Sequence, residues 1–279
     1  MQKIKRKSLL YKSGVEYADY GLNHAEGCSH GCTYPCYAMM MKKRCGIINT
    51  YNEWRTPKIV SNTLELLEKE IPKYKDDIKH VFLCFATDPF MYQQKEVINL
   101  SLKIISRLNQ DKLKSVCISK GVYPKKLAKK EIYGANNEYG STIITLSEDF
   151  RKKHEPFAAP IKERIKALKF LHNAGLKTWV SMEPYPTPNL IKQDLSKILN
   201  EISFVDKIVF GKWNYNGITS YFNDNKNFYN DAAYEVIKFC KERNIGCHIK
   251  KGTITKSCIR KENNPAIEYK KLLFRYCTA

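Results

Sequence analysis

Residues 80–121 read HVFLCFATDPFMYQQKEVINLSLKIISRLNQDKLKSVCISKG. HVFLCFATDPF (80–90) is a short apolar run that ends in polar residues and Pro89, the pattern of a buried strand and its exit loop. EVINLSLKIISRLNQ (96–110) carries apolar residues at helical spacing. LKSVCISKG (113–121) is a second apolar run, closed by Gly121. Both strands are continuous apolar runs rather than strict alternations, as expected where helices cover the faces of a parallel sheet or close a barrel.

The alternation extends in both directions. Downstream, PKKLAKKEI (124–132) predicts a short basic helix, YGSTIITLSED (139–149) a strand, and PIKERIKALKFLHNAG (160–175) a helix capped by Gly175. LKTWVSMEP (176–184) predicts a strand stopped by Pro184, NLIKQDLSKILNEI (189–202) a helix, and DKIVFGKWN (206–214) a strand. DAAYEVIKFCKERNIG (231–246) and CHIKKG (247–252) predict a helix and one further strand, and NPAIEYKKLLFRY (264–276) a C-terminal helix. Upstream, KIVSNTLELLEKEIPKY (58–74) places Ile59, Leu64, Leu67 and Ile71 at helical spacing, and YAMMMKKRC (37–45) also predicts a helix. A short first strand falls in VEYADYGLN (15–23). About six strand–helix units argue a parallel α/β fold, a barrel or an open doubly wound sheet. No linker or low-complexity segment divides the chain, so a single domain is expected over 1–279, its core about 15–250 and a C-terminal extension about 251–279.

Composition narrows the class. A domain of 279 residues buries roughly 75% of the surface its unfolded chain exposes, so its stability does not require disulfides. No apolar run is long enough to span a membrane, and the basic N-terminal MQKIKRKSLLYKSG lacks the apolar core of a signal peptide. The expected location is cytoplasmic, with ten reduced cysteines. Lys and Arg number 48 against 28 Asp and Glu, a formal net charge of +20 that attracts polyanions and points to nucleic acid as a partner. The Lys-, Asn-, Ile- and Tyr-rich composition of the whole chain offers a second explanation of that charge.

In parallel α/β folds reactive residues gather at the C-terminal ends of the strands. Here those ends hold Thr87-Asp88, Ser119-Lys120, Thr145, Ser147-Glu148, Glu183, and Gly211-Lys212 with Asn214. The loop EGCSHGCTYPCYAMMMKKRCG (26–46) falls on the same side, after the first strand, and spaces Cys28, Cys32 and Cys36 four residues apart. Soft thiolates so close together suit zinc or an iron–sulfur cluster. Closed structural zinc needs a fourth ligand, for which His24, His30 and Cys45 are the candidates. A [4Fe–4S] cube can instead take three cysteines and leave one iron open to a ligand. The glycines let the backbone wrap a bulky core.

GCSHGCTYPCYA (27–38) resembles the cluster loop of the radical S-adenosylmethionine (radical SAM) superfamily, and is most similar to the branch containing spore photoproduct lyase. TDPF (87–90), ISKG (118–121) and HEPFAAPIKERIKALKFLHNAG (154–175) resemble corresponding elements of that branch in the same order, so the likeness covers most of 20–215. It departs at one point. Three residues, Thr33, Tyr34 and Pro35, separate the last two cysteines where two are usual, and Pro35 occupies the place of an aromatic residue near the adenine. Tyr34 and Tyr37 are the candidates for that aromatic role.

The resemblance implies a partial (β/α)6 TIM-like barrel with short terminal extensions. It implies a [4Fe–4S] cluster on Cys28, Cys32 and Cys36 whose fourth iron binds S-adenosylmethionine. It implies reduction by a one-electron donor such as flavodoxin or ferredoxin, and cleavage to a 5′-deoxyadenosyl radical that abstracts hydrogen from a substrate. Ala86, Thr87 and Asp88 then fall where the cofactor's amino group is held, and Ser119-Lys120 where its carboxylate is met. Thr145, Ser147 and Glu148 fall near the ribose, Glu183 near cofactor or substrate, and Arg164 is a further candidate. The related lyase acts on DNA with a cysteine hydrogen donor. Cys84 and Cys117 are the candidates here, although both also read as packed core thiols. Three classes stay open: a radical SAM enzyme on nucleic acid, one on a small molecule or peptide, and a metal-binding nucleic-acid protein without enzyme activity.

Overall fold

The computed structural model describes residues 1–14, 19–34 and 36–255. The expected C-terminal helix, Pro35, and the first residues of VEYADYGLN lie outside the described residues. The fold is mixed α/β with a parallel sheet and divides into two compact units.

The first unit comprises Met1–Ser141 and Glu148–Thr178. Its strands are β1 (Gln2–Ile4), β2 (Leu10–Lys12), β3 (Tyr20–Leu22), β4 (Ala25–Glu26), β5 (Lys58–Val60), β6 (His80–Leu83), β7 (Lys114–Ser119) and β8 (Glu138–Thr142). Strands β3, β6, β7 and β8 pair in parallel in that order, and β2 adds antiparallel to β3. A second sheet joins β1 in parallel and β4 antiparallel to β5. The helices are α1 (Tyr37–Arg44), α2 (Tyr51–Arg55), α3 (Thr63–Tyr74), α4 (Lys95–Gln110), α5 (Lys130–Tyr133), α6 (Glu148–His154) and α7 (Ile161–Asn173), with a 3-10 turn at Lys125–Ala128. The motif that opened the sequence reading is β6-α4-β7. Helix α4 buries Val97, Leu102, Ile104, Ile105 and Leu108, one stripe of an amphipathic helix.

The second unit comprises Thr142–Ser147 and, among the described residues, 179–255. Strands β9 (Lys177–Tyr185), β10 (Lys207–Lys212) and β11 (Gly246–Ile249) pair in parallel with β10 central, alongside α8 (Leu195–Glu201), α9 (Gly217–Ser220) and α10 (Asn225–Glu242). Among the described residues no sheet closes into a barrel.

Several boundaries differ from the sequence expectation, among them the start of α10, at Asn225 rather than Asp231, and the basic helix expected over 124–132, which divides into the 3-10 turn and α5. Ile59 belongs to β5, because the β-branched pair Ile59-Val60 bonds between β1 and β4, and α3 starts only at Thr63. The strand expected over 139–149 is confined to Glu138–Thr142. Strand β9 runs past Pro184, since Tyr185 still finds a register partner in Lys212. The helix expected from Asn189 begins at Leu195, where the Asp194 carboxylate accepts from the Ser196 N–H at 2.9 Å and caps it.

Candidate active site

The loop between β4 and α1 carries the three thiols. Gly27 (φ +79°) lets the chain turn beneath α2, where a Cβ would stand 2.7 Å from the Trp54 carbonyl oxygen. The Cys28 N–H then donates to that carbonyl at 2.8 Å. Gly31 (φ +60°) repeats the device, and its carbonyl accepts from the Tyr51 hydroxyl at 2.5 Å. Cys28, Cys32 and Cys36 are free and half-buried. Burial pushes the Cys28 thiol well up and Cys32 to about 12, and the cysteines add to one another's shifts electrostatically.

Among the described residues no group of His, Cys, Asp or Glu side chains could hold a single metal ion. Closed zinc needs four ligands on one ion, whereas a cube gives each thiolate its own iron. The other candidate ligands are engaged or distant. His30 is buried, with Nε2 accepting from the Tyr92 N–H at 2.9 Å and Nδ1 3.4 Å from Asp88. His24 has Nδ1 3.1 Å from the Cys84 sulfur and Nε2 2.8 Å from the Ser101 hydroxyl. Cys45 lies at the far end of α1, roughly 13 Å of helix beyond Cys36.

Asp88 is a brace. Its carboxylate accepts from the Phe90 N–H (2.8 Å), the Ser119 hydroxyl (2.7 Å) and the Lys120 N–H (2.9 Å), tying the exit of β6 to the exit of β7. Ala86 donates its N–H to the Asn23 side chain, and the Thr87 hydroxyl donates to the Gly27 carbonyl, at the base of the cysteine loop. The Lys120 ammonium sits 5.6 Å from the Tyr34 ring centre. Burial works to lower its pKa, but Cys32 and Glu155 outweigh it and hold the group above its ordinary value.

Tyr34 turns inward. It is buried, and its hydroxyl donates to Glu155 at 2.9 Å. Arg164, also buried, pairs with the other Glu155 oxygen at 2.7 Å. Burial would raise Glu155, yet Arg164 and Lys120 pull it below the usual carboxylate range. The Thr33 N–H donates to the His154 carbonyl at 2.9 Å, so the segment between Cys32 and Cys36 is fastened to residues 154–155 at two points. Tyr37 is 59% exposed at the start of α1, leaving it as the accessible one of the two candidate aromatics.

The remaining candidates make contacts of their own. Glu148 accepts from Arg151 (2.5 Å) and from the Ile161 N–H (2.6 Å), satisfying the first turn of α7. Thr145, Ser147 and Glu183 belong to the second unit: the buried Thr145 hydroxyl accepts from the Ser147 N–H at 3.0 Å, and the Glu183 side chain fills the space left by Gly211. Cys84 and Cys117 are fully buried, Cys84 at φ +57° with its sulfur on His24, as packed core thiols would be.

The buried histidines set an acid limit. Burial lowers His24 to about 3 and His30 to about 4, from 6.5. Below pH 6.5 the unfolded chain therefore binds more protons than the folded one, and stability is lost as pH falls toward those values. Thermal melts should shift to lower temperature between pH 7 and 5, with a shallower slope in His24→Gln. A melting temperature flat over that range contradicts this.

The sequence profile of the radical SAM superfamily matches residues 22–202, about two thirds of the chain, and the protein belongs to that family. It is a radical SAM enzyme, and the family uses a [4Fe–4S] cluster, S-adenosylmethionine and a reductant. An uncharacterised protein of Methanocaldococcus jannaschii is 26% identical over 200 residues, covering 71% of each chain. An uncharacterised protein of the Acidianus two-tailed virus is 26% identical, over 68% of this chain and 64% of its own. Among solved structures, spore photoproduct lyase complexed with dinucleoside spore photoproduct superposes with a TM-score of 0.64 at 13% identity, covering 88% of this chain and 80% of that one. A variant of that lyase with bound AdoMet and the same photoproduct gives 0.63 at 12%. These likenesses show the shared fold. No described helix is long and apolar enough to cross a membrane.

Proposed function

We propose that Cys28, Cys32 and Cys36 hold the cluster and that the enzyme acts on a nucleic-acid substrate. The observation that carries the first part is the grouping of three half-buried thiols on one loop whose neighbouring imidazoles are both already hydrogen-bonded. The second part is supported by the net charge of +20 and by the fold shared with a lyase complexed with a dinucleoside lesion. Held by Cys28, Cys32 and Cys36, the cluster together with S-adenosylmethionine would supply radical chemistry for hydrogen abstraction from the substrate.

The protein's own contribution is positioning and exclusion of water. Gly27 and Gly31 shape the loop, and Thr87 and Trp54 fix its first half through Gly27 and Cys28. Tyr34 and Glu155 fix its second half. Lys120 is half-buried beside Tyr34 and is held above its ordinary pKa, suited to meeting an anionic group. The roles of Ala86, Thr145, Ser147, Glu148 and Glu183 toward the cofactor rest on the resemblance, as does a flavodoxin or ferredoxin as electron donor. We place the catalytic core at about 15–250, in the cytoplasm.

The test is label transfer. Reconstituted enzyme is reduced and incubated with S-adenosylmethionine and deuterated single- or double-stranded oligonucleotides, with or without photolesions. Deuterium in 5′-deoxyadenosine is expected. Label arriving only from peptide or small-molecule pools would refute the nucleic-acid reading and leave the cluster assignment intact.

A further inference from the structure

Arg55, the last residue of α2, carries a guanidinium that no carboxylate neutralises among the described residues. Arg107, Arg151 and Arg164 each pair with a buried or neighbouring carboxylate. The Arg55 Nε is buried without a hydrogen-bond partner, and Arg55 forms no ion pair among the described residues. A buried polar group left open in this way asks for an explanation, and a ligand is one.

Its surroundings describe that ligand. The guanidinium carbon lies 3.8 Å from the centre of the Phe157 ring and 5.7 Å from that of Tyr51. Phe157 is 48% exposed and Tyr51 38%, so both rings remain open to a partner. All three side chains converge on Gly31, between the first two cysteines. A Cβ at Gly31 would stand 2.8 Å from the Phe157 ring and the Tyr51 hydroxyl, and 3.1 Å from the Arg55 Nε. The Phe157 N–H also donates to the His30 carbonyl at 3.1 Å, fastening the ring's backbone to the same loop. The glycine thus does more than turn the chain: its bare backbone admits a cation and two aromatic rings to the edge of the cysteine loop.

A planar guanidinium fork suits an oxyanion, and exposed rings beside it suit a flat group. One nucleotide unit of a nucleic-acid strand offers both, a phosphate and a base. We propose that Arg55, Phe157 and Tyr51 form a nucleotide subsite at the rim of the cysteine loop, with Arg55 on a backbone phosphate and the rings stacking an unpaired base. This rests on the nucleic-acid reading above and adds to it the residues that would bring the strand to the loop.

The experiment measures binding of a fluorescent single-stranded oligonucleotide to the reconstituted enzyme by anisotropy across a salt series. Arg55→Gln should weaken binding by roughly tenfold and flatten the slope of log affinity against log salt by about 0.7, the loss of one phosphate contact on a single strand. Arg55→Lys should restore the slope. Phe157→Ala should also weaken binding by roughly tenfold, leaving the slope unchanged, because stacking releases no counterion. Iron content and melting temperature are read on every variant, and a purely structural role would move those and not the salt slope. If Arg55→Gln does not fold, Arg55→Lys and Phe157→Ala decide by the same slope and affinity criteria.

Unchanged affinity and slope in Arg55→Gln, with iron retained, overturns the subsite while the unaltered enzyme's oligonucleotide binding still supports the broader reading. Loss of S-adenosylmethionine binding with oligonucleotide binding intact also overturns it, since the anion would then be the cofactor's carboxylate. Failure of the unaltered enzyme to bind any oligonucleotide overturns both.

Discussion

Alanine at Cys28, Cys32 or Cys36 is expected to bring iron retention and 5′-deoxyadenosine formation down to background, while Cys45→Ala and Cys117→Ala keep both. The geometry makes the contrast sharp. The three loop thiols are half-buried together, whereas Cys45 is exposed beyond the end of α1 and Cys117 is enclosed in β7. His24 and His30 cannot rescue a missing thiol without surrendering hydrogen bonds that hold Ser101, Tyr92 and their own loops. Iron assay, the thiolate-to-iron absorption band and product analysis on each variant check this. Full iron loading in Cys32→Ala would show that the ligands lie elsewhere.

The second large effect concerns Glu155 and Arg164. Both are buried, and their pair stands in a region of low dielectric that also contains Lys120 and the Tyr34 hydroxyl. Removing one partner strands a buried charge, which costs about 3–5 kcal/mol. Glu155→Gln or Arg164→Met should therefore lower the melting temperature by roughly 6–20 °C. The double variant should cost far less than the sum of the two, because the second change removes a charge already stranded. Glu155→Gln should also shed iron faster, since Tyr34 is then held to the 154–155 segment by a weaker, neutral bond. Additive losses in the double variant would contradict a coupled pair.

Much of the fold was legible because long elements announce themselves. Helix α4 and strands β6 and β7 combine clear periodicity with breakers at their ends, and structure and reading agree there. Short elements were hidden by their neighbours. The three residues of β5 precede an amphipathic helix, and a periodic window absorbs Ile59 into it. In the site, the cysteine trio was visible because it is local in sequence. Glu155, Arg55 and Phe157 were not. Tyr34 and Glu155 stand 121 positions apart, and a lone charge or ring in a loop has no period to betray its partner. The available signals were Gly31, whose place in the loop already required a bare backbone, and the likeness of HEPFAAPIKERIKALKFLHNAG (154–175) to the family, which flagged the segment without naming partners for Glu155 and Phe157. The resemblance puts Asp88 where the cofactor's amino group is held, and three hydrogen bonds tie its carboxylate to β7 and its own turn, contacts between strand exits that no sequence pattern announces.

The central claim is that this loop carries a cube with one corner open to S-adenosylmethionine. The direct measurement is electron paramagnetic resonance of the anaerobically reconstituted, dithionite-reduced enzyme before and after the cofactor is added, with metal analysis alongside. Roughly four irons per chain and a cluster signal that changes shape when S-adenosylmethionine binds are predicted. A chain that retains zinc in place of iron, or a cluster signal indifferent to the cofactor, would contradict it.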